Sequence, residues 1–426
     1  MRTPIACLAA VLLVVAGCSN ETTGAERGTP GDPSAITLQV SGEREETAAY
    51  RAIVQAYEND HAGSDVELVQ VAEKDDHLTK LATSFAAGDP PDVFLVNFRE
   101  YSQFVARGAV QPIGDLLEER GVDLGDYYEA PVEAFSLSGE LQCMPQNVSS
   151  LVTYYNVDLF QRAGVDEPRA GWTWEEFRAT AEALTRGDVR GVGIEPSIIR
   201  VAPFVWSNGG DIVDDLDEPT RFTLEMPAAR QAVEFVVRMA HDELIPTERE
   251  IGAQDLETRF VTGKLGMLLS SRRDTPAFRE VRGLNWDVGP LPVSREQVGI
   301  LHSDAYCIST GTNVEAAADF VAFAAGEQGQ TLAALAGRTV PSLRSVSSSG
   351  AFLDPTQPPR NAQVFLDAVS TLRRTPVIPT WPEIEDVAEE YLTRAFYDTS
   401  YTVDRFIEEL NAATAPLFAE GAEQLP

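Results

Sequence analysis

A chain of 426 residues is longer than a single hydrophobic core usually supports, so two domains are the starting expectation. Its 44% hydrophobic content is ordinary for a globular protein, while 66 acidic against 33 basic residues leave a formal net charge of -33. A surface this acidic repels nucleic acid and anionic lipid headgroups, which argues against both as partners.

The opening stretch, MRTPIACLAAVLLVVAGCSN, combines Arg2 with an apolar run from Ile5 to Ala16. That run is about half the length of a bilayer-spanning helix, so it reads as a secretion signal rather than an anchor. Val15-Ala16-Gly17 ahead of Cys18 resembles the end of a bacterial lipoprotein signal. This implies removal of residues 1–17, lipidation of Cys18 and an extracytoplasmic protein tethered to the cell membrane. An ordinary signal with an incidental cysteine is the other reading. Residues 18–35, polar and rich in Gly, Pro and Thr, read as a flexible tether.

Order is expected from Ile36, where Ile36, Leu38 and Val40 alternate as in a strand. Ala49, Ile53 and Tyr57 then recur at helical spacing, and Val66, Leu68 and Val71 mark a second strand. Leu78, Leu81, Ala82 and Phe85 form a helical stripe closed by Gly88 and Pro90. The run from Asp92 to Val96 is nearly all apolar, as in a strand buried on both faces. This alternation predicts an α/β fold with a largely parallel sheet. Further on, Thr173 and Glu176 have capping-box spacing ahead of Phe177, and a second amphipathic helix is expected over about residues 228–241. Ser207 to Asp211 reads as a turn.

The chemistry-bearing residues form no catalytic pattern. His61, His77, His241 and His302 are scattered, so no transition-metal centre and no cofactor are expected. Nucleophile-elbow, P-loop and dinucleotide motifs are absent. Acidic pairs such as Asp214-Asp215 are expected by chance in so acidic a chain. Of the 4 cysteines, Cys7 leaves with the signal and Cys18 takes the lipid. Cys143 and Cys307 remain, either bridged or as two buried thiols.

Five segments in order resemble the extracellular solute-binding proteins of ABC importers, the large sugar-binding family typified by maltose-binding protein. They are PPDVFLVNFREYSQFVARGAVQPI, GELQCMPQNVSSLVTYYNVDLFQRAGVDEP, GWTWEEFRATAEALT, WSNGGDI and FVTGKLGMLLSS. The resemblance implies the two-lobed periplasmic-binding-protein fold of type II, with a ligand cleft between lobes joined by a multi-strand hinge. It puts residues 36–143 plus 307–350 in one lobe and 144–306 plus 351–426 in the other. The passages between lobes would fall near Cys143–Gln146, near Asp304–Ser309 and at about residues 345–355. Passages of that kind lie side by side in the family, which favours a bridge between Cys143 and Cys307.

Ligands of open α/β sheets sit at the C-terminal ends of strands, and a sugar needs aromatic faces and planar polar groups. With the family pattern, this implicates Glu43 and Arg44 after the first strand, and Asn97 and Arg99 after the third. Asn147 and Ser149 follow the first passage, while Asp304 and Tyr306, with His302 just ahead of them, lie along the second. Trp206, Asn208, Ser271, Arg272 and Trp381 would come from the second lobe. Trp206 and Trp381 either stack on the sugar or pack in the core, and the arginines either bind ligand or remain surface charges. The implied role is capture of an oligosaccharide or related sugar by a monomeric lipoprotein that delivers it to a membrane permease. Alternatives are a phosphorylated polyol or another non-sugar solute on the same fold, a sensor that presents its ligand to a signalling partner, or an exported glycosidase.

Overall fold

The computed structural model describes residues 34–42 and 44–424. The expected signal, Cys18, the tether up to residue 33, Glu43 and the side chain of Arg44 lie outside the described residues.

Two sheets organise the chain, one of six strands and one of four. In chain order their strands are β1 (Ala35–Ser41), β2 (Asp65–Val71), β3 (Val93–Asn97), β4 (Val110–Gln111), β5 (Cys143–Pro145), β6 (Val152–Asn156), β7 (Arg190–Gly193), β8 (Leu265–Ser270), β9 (Trp286–Gly289) and β10 (Asp304–Ser309). The principal helices are α1 (Arg44–Asp60), α2 (Lys74–Ala87), α3 (Trp174–Leu184), α4 (Ile198–Ser207), α5 (Pro227–His241), α6 (Val314–Ala325), α7 (Trp381–Tyr397) and α8 (Val403–Gln424). The six-stranded sheet runs β2-β1-β3-β10-β4, with β5 also on β10; the four-stranded sheet runs β9-β6-β8-β7.

The sequence logic holds locally. Val93 to Val96 and all of β8 are buried, the continuous apolar pattern of strands covered on both faces. α2 stops at Gly88, whose φ of 73° lets its N–H reach back to Phe85 O, a conformation that costs an L side chain. The capping box at α3 is present: Thr173 Oγ1 accepts from Glu176 N at 3.2 Å and Glu176 Oε2 accepts from Thr173 N at 2.7 Å.

The expected parallel character is only partial. β1 pairs β2 and β3 in parallel, but β10 runs antiparallel to β3, β4 and β5. β6 is antiparallel to both β8 and β9. β10 is not the product of a strand-helix-strand crossover within its own sheet; it arrives from the other lobe and enters between β3 and β4 from the opposite direction. The hinge is compact. Ser149 and His302 pair as antiparallel neighbours, and Asn147 pairs Pro341, so Val340 to Ser342 accompanies the first two passages ahead of the Ser-rich break at residues 345–355. Cys143 and Cys307 face each other on β5 and β10 with α-carbons 4.4 Å apart and are joined by a disulfide.

Candidate ligand-binding cleft

A cavity of about 440 Å³ opens where the C-terminal ends of β1, β2, β3 and β7 and of the hinge segments converge. Of the residues implicated above, Asn97, Arg99, Asn147, Ser149, Ser271 and Asp304 line it. Asn97, Arg99, Asn147 and Asp304 form a continuous network. Asp304 accepts from Asn97 Nδ2 and Asn147 Nδ2, each at 3.0 Å, one at either carboxylate oxygen. Asn97 Oδ1 in turn accepts from Arg99 Nε at 3.1 Å. Arg99 Nη1 donates to Glu385 Oε2 on α7 at 2.5 Å, and Glu385 Oε1 accepts from Trp381 Nε1 at 2.6 Å. Burial raises the Glu385 carboxyl above its ordinary range even with Arg99 beside it.

The other implicated residues lie elsewhere. Trp381 is 0% exposed and packs against Phe222 and Phe418 in the second core. Trp206 is buried in that core too, with Arg373 over its ring at 5.0 Å. Each sits on the inward face of its helix, where an aromatic ring gains more from packing than from an open cleft. Asn208 ties its loop together, donating to Ala228 O and Gln231 Oε1 and accepting from Ser294 Oγ. Arg272 turns away from the cleft, donating to Gly337 O and lying over Phe352 at 4.4 Å. Tyr306 points from β10 into the first core, edge-on to Phe320.

Several cleft residues went unread in the sequence. Glu73, Lys74 and His77 follow β2, and Glu195 and Arg200 follow β7. The strand-end rule that singles out Asn97 applies equally to them. Arg273 lines the cleft one position after Arg272, because the two lie in a 3-10 turn (Arg272–Asp274), where successive side chains are rotated by about a third of a turn. No Phe, Tyr or Trp is among the described residues lining it. The expected aromatic platform is not among the described residues lining this cavity, whose walls are mainly of polar and charged groups.

Most of those groups already have partners. Lys74 pairs Glu100, Arg99 pairs Glu385, Arg200 pairs Glu195 at 2.8 Å, and Arg273 contacts Glu257 and Asp274 at 3.3 Å. His77 bridges Gln39 and Leu95 O, and burial lowers its pKa. His302 is held well below the ordinary imidazole value by burial and then by Arg200, Arg99, Arg273 and Lys74, so the ring is neutral at neutral pH. No group of three or more His, Cys, Asp or Glu among the described residues is placed to hold a metal ion.

Residues 52–358 match the model of a family described as bacterial extracellular solute-binding protein. A putative binding protein of Brucella abortus (strain 2308) is 25% identical over 369 residues, 84% of this chain and 87% of the relative. An sn-glycerol-3-phosphate-binding periplasmic protein of Agrobacterium fabrum is 36% identical over 110 residues, covering 24% of this chain and 25% of its own. Among solved structures, an ABC substrate-binding protein of Listeria monocytogenes in complex with cycloalternan superposes with a TM-score of 0.83 at 22% identity, over 91% of this chain and 100% of that one. The maltose-bound MalE3 of T. maritima gives a TM-score of 0.74 at 19% identity over 89% of this chain and 99% of its own.

Proposed function

Because the chain belongs to the bacterial extracellular solute-binding proteins, we propose that it is the capture subunit of an ABC importer and takes an oligosaccharide or related sugar into the cleft described above. The observation that carries this reading is the character of the wall. Its planar side chains (Asn97, Arg99, Asn147, Asp304) are oriented by one another, and their charges are largely compensated within the wall. Such a surface offers paired donors and acceptors to vicinal hydroxyls without net charge to dehydrate. The sugars named with the Listeria and Thermotoga proteins support the same class of ligand.

The first lobe comprises residues 36–143 plus 307–350 and the second 144–306 plus 351–426. Ligand contacting both stabilises the closed arrangement. A monomer tethered by lipid on Cys18, with residues 1–17 removed and 18–35 as leash, then presents the loaded cleft to a permease. No ATPase motif occurs in the sequence, so the energy for transport comes from another subunit.

A thermal-shift screen of mono-, di- and trisaccharides tests the ligand class. A ligand at about a hundred times its Kd adds about 2.7 kcal/mol to stability, a rise in Tm of several degrees. A flat response to every sugar overturns the reading. For the anchor, Cys18→Ala should move the protein from the membrane fraction to the soluble one, and unchanged fractionation would rule lipidation out.

A further inference from the structure

The cleft's hydrogen-bonding capacity is unevenly spent. Among its acceptors, Asp304 already takes two amides, and one carboxylate oxygen of Glu195 takes Arg200, while the exposed carboxylate of Glu73 faces solvent. What remains buried and free is a set of groups able to donate. Arg200 is only 4% exposed, gives one guanidinium nitrogen to Glu195, and leaves buried Nε and Nη1 without a partner. Ser149 Oγ, also buried, makes no hydrogen bond. His302 Nε2 makes none either, although Ser149 and His302 are paired neighbours at the hinge. A buried polar group left without a hydrogen bond is destabilising, so such a set is expected where a ligand completes it.

A second observation has the same sign. Arg200 and Ile199 belong to the first turn of α4, and both line the cavity. The positive end of that helix therefore borders the cavity where the free donors lie. The global charge of -33 does not set this local field.

We propose that the ligand carries an oxyanion, either the carboxylate of a sugar acid or a phosphate ester, and docks it on Arg200, Ser149 and His302. This rests on the sugar reading above and narrows it. The oxyanion supplies acceptors to buried donors that have none: a guanidinium edge offers two N–H groups to two oxygens, and the serine hydroxyl and the imidazole in its Nε2–H tautomer complete the set. The neutral portion of the sugar lies along the Asn97–Asp304–Asn147 network.

Titration calorimetry on the full-length protein decides it. The probes are galacturonate, glucuronate and digalacturonate for the carboxylate source; glucose 6-phosphate and galactose 6-phosphate for the phosphate source; and glucose, galactose and maltose as neutral counterparts. One anionic arm should bind about tenfold or more tighter than its neutral parent, with an advantage that shrinks at high salt; the arm that binds identifies the source. Ser149→Ala and Arg200→Gln should each remove most of that advantage while changing neutral binding less. Should Arg200→Gln not fold, Ser149→Ala alone carries the test. Neutral sugars binding as tightly as their acids and phosphates would overturn the inference and leave the sugar reading standing. No binding by any probe would overturn both. Binding of glycerol 3-phosphate or a simple carboxylate in the same Ser149-dependent manner, with all sugars inert, would uphold the oxyanion site and overturn the sugar.

Discussion

Trp206 and Trp381 have the right chemistry for stacking on a sugar and the wrong side of their helices for it. Their type and their neighbourhood in the sequence are legible, but the rotation of a helix about its axis by part of a turn is not, and that rotation decides between cleft and core. The same limit separates Arg272 from Arg273, where one step along the chain exchanges a buried stack on Phe352 for a place on the cleft wall. Asn97, Arg99, Asn147, Ser149 and Asp304 were legible because strand ends and hinge passages fix them without reference to helix phase. Trp206→Ala should therefore lower stability by about 3–5 kcal/mol, the range for emptying a buried aromatic site, and leave affinity within about twofold. Chemical denaturation and calorimetry on the same variant check both halves. Asp304→Asn should do the reverse. It places an amide opposite the amides of Asn97 and Asn147, so ligand affinity should fall by about tenfold or more with little change in Tm.

Local segments carry their own instructions. Thr173 and Glu176 begin α3 as their spacing implies, and β3 and β8 are buried as their unbroken apolar runs require. The direction of β10 was hidden, because antiparallel insertion depends on where the chain has been, not on what the strand contains. A short helix, Glu248–Ala253, shows what one cap contributes. Its Glu250 accepts from Thr247 N at 2.9 Å and from Arg190 Nε at 2.9 Å. Burial works to raise the Glu250 carboxyl, but the bonds from Arg190 and Thr247 outweigh it and bring its pKa down to about 2. A carboxyl depressed in the folded state adds stability above its unfolded pKa and loses it as pH falls towards the folded value. Glu250 should thus contribute about 2–3 kcal/mol at neutral pH, lost between about pH 4.5 and 2. Glu250→Gln should flatten the acid limb of the stability curve by that amount. Superimposable urea midpoints for wild type and variant across that range would refute the assignment.

Across the molecule, the contact from Arg99 to Glu385 has a particular standing. It runs from the loop after β3 in the six-stranded sheet to α7, which packs in the second core, and both side chains are largely buried at 14% and 16% exposure. Trp381 thus serves the cleft indirectly, by holding Glu385 for Arg99. A contact joining the six-stranded sheet to α7 favours the arrangement in which the two are close, and a capture site so biased spends less of its binding energy on closure. Arg99→Met combined with Glu385→Gln should weaken ligand binding and enlarge the ligand-free radius of gyration seen by solution scattering. A pair of this exposure is worth about 1 kcal/mol, or about fivefold in the open-closed ratio. An unchanged scattering profile would show that the pair only decorates a closure set by packing.

The bridge between Cys143 and Cys307 has a topological side as well. The two cysteines are 164 positions apart, so the backbone they enclose, which includes the whole four-stranded sheet, is a covalent ring hung from the first lobe. Opening that ring at one point does not release anything. A protease that nicks the exposed loop around Asp214 and Glu218 should leave one full-mass species on a gel run without reductant. Two fragments should separate only after reduction, and the nicked, oxidised protein should keep its fold and its ligand, because no strand of either sheet has been cut.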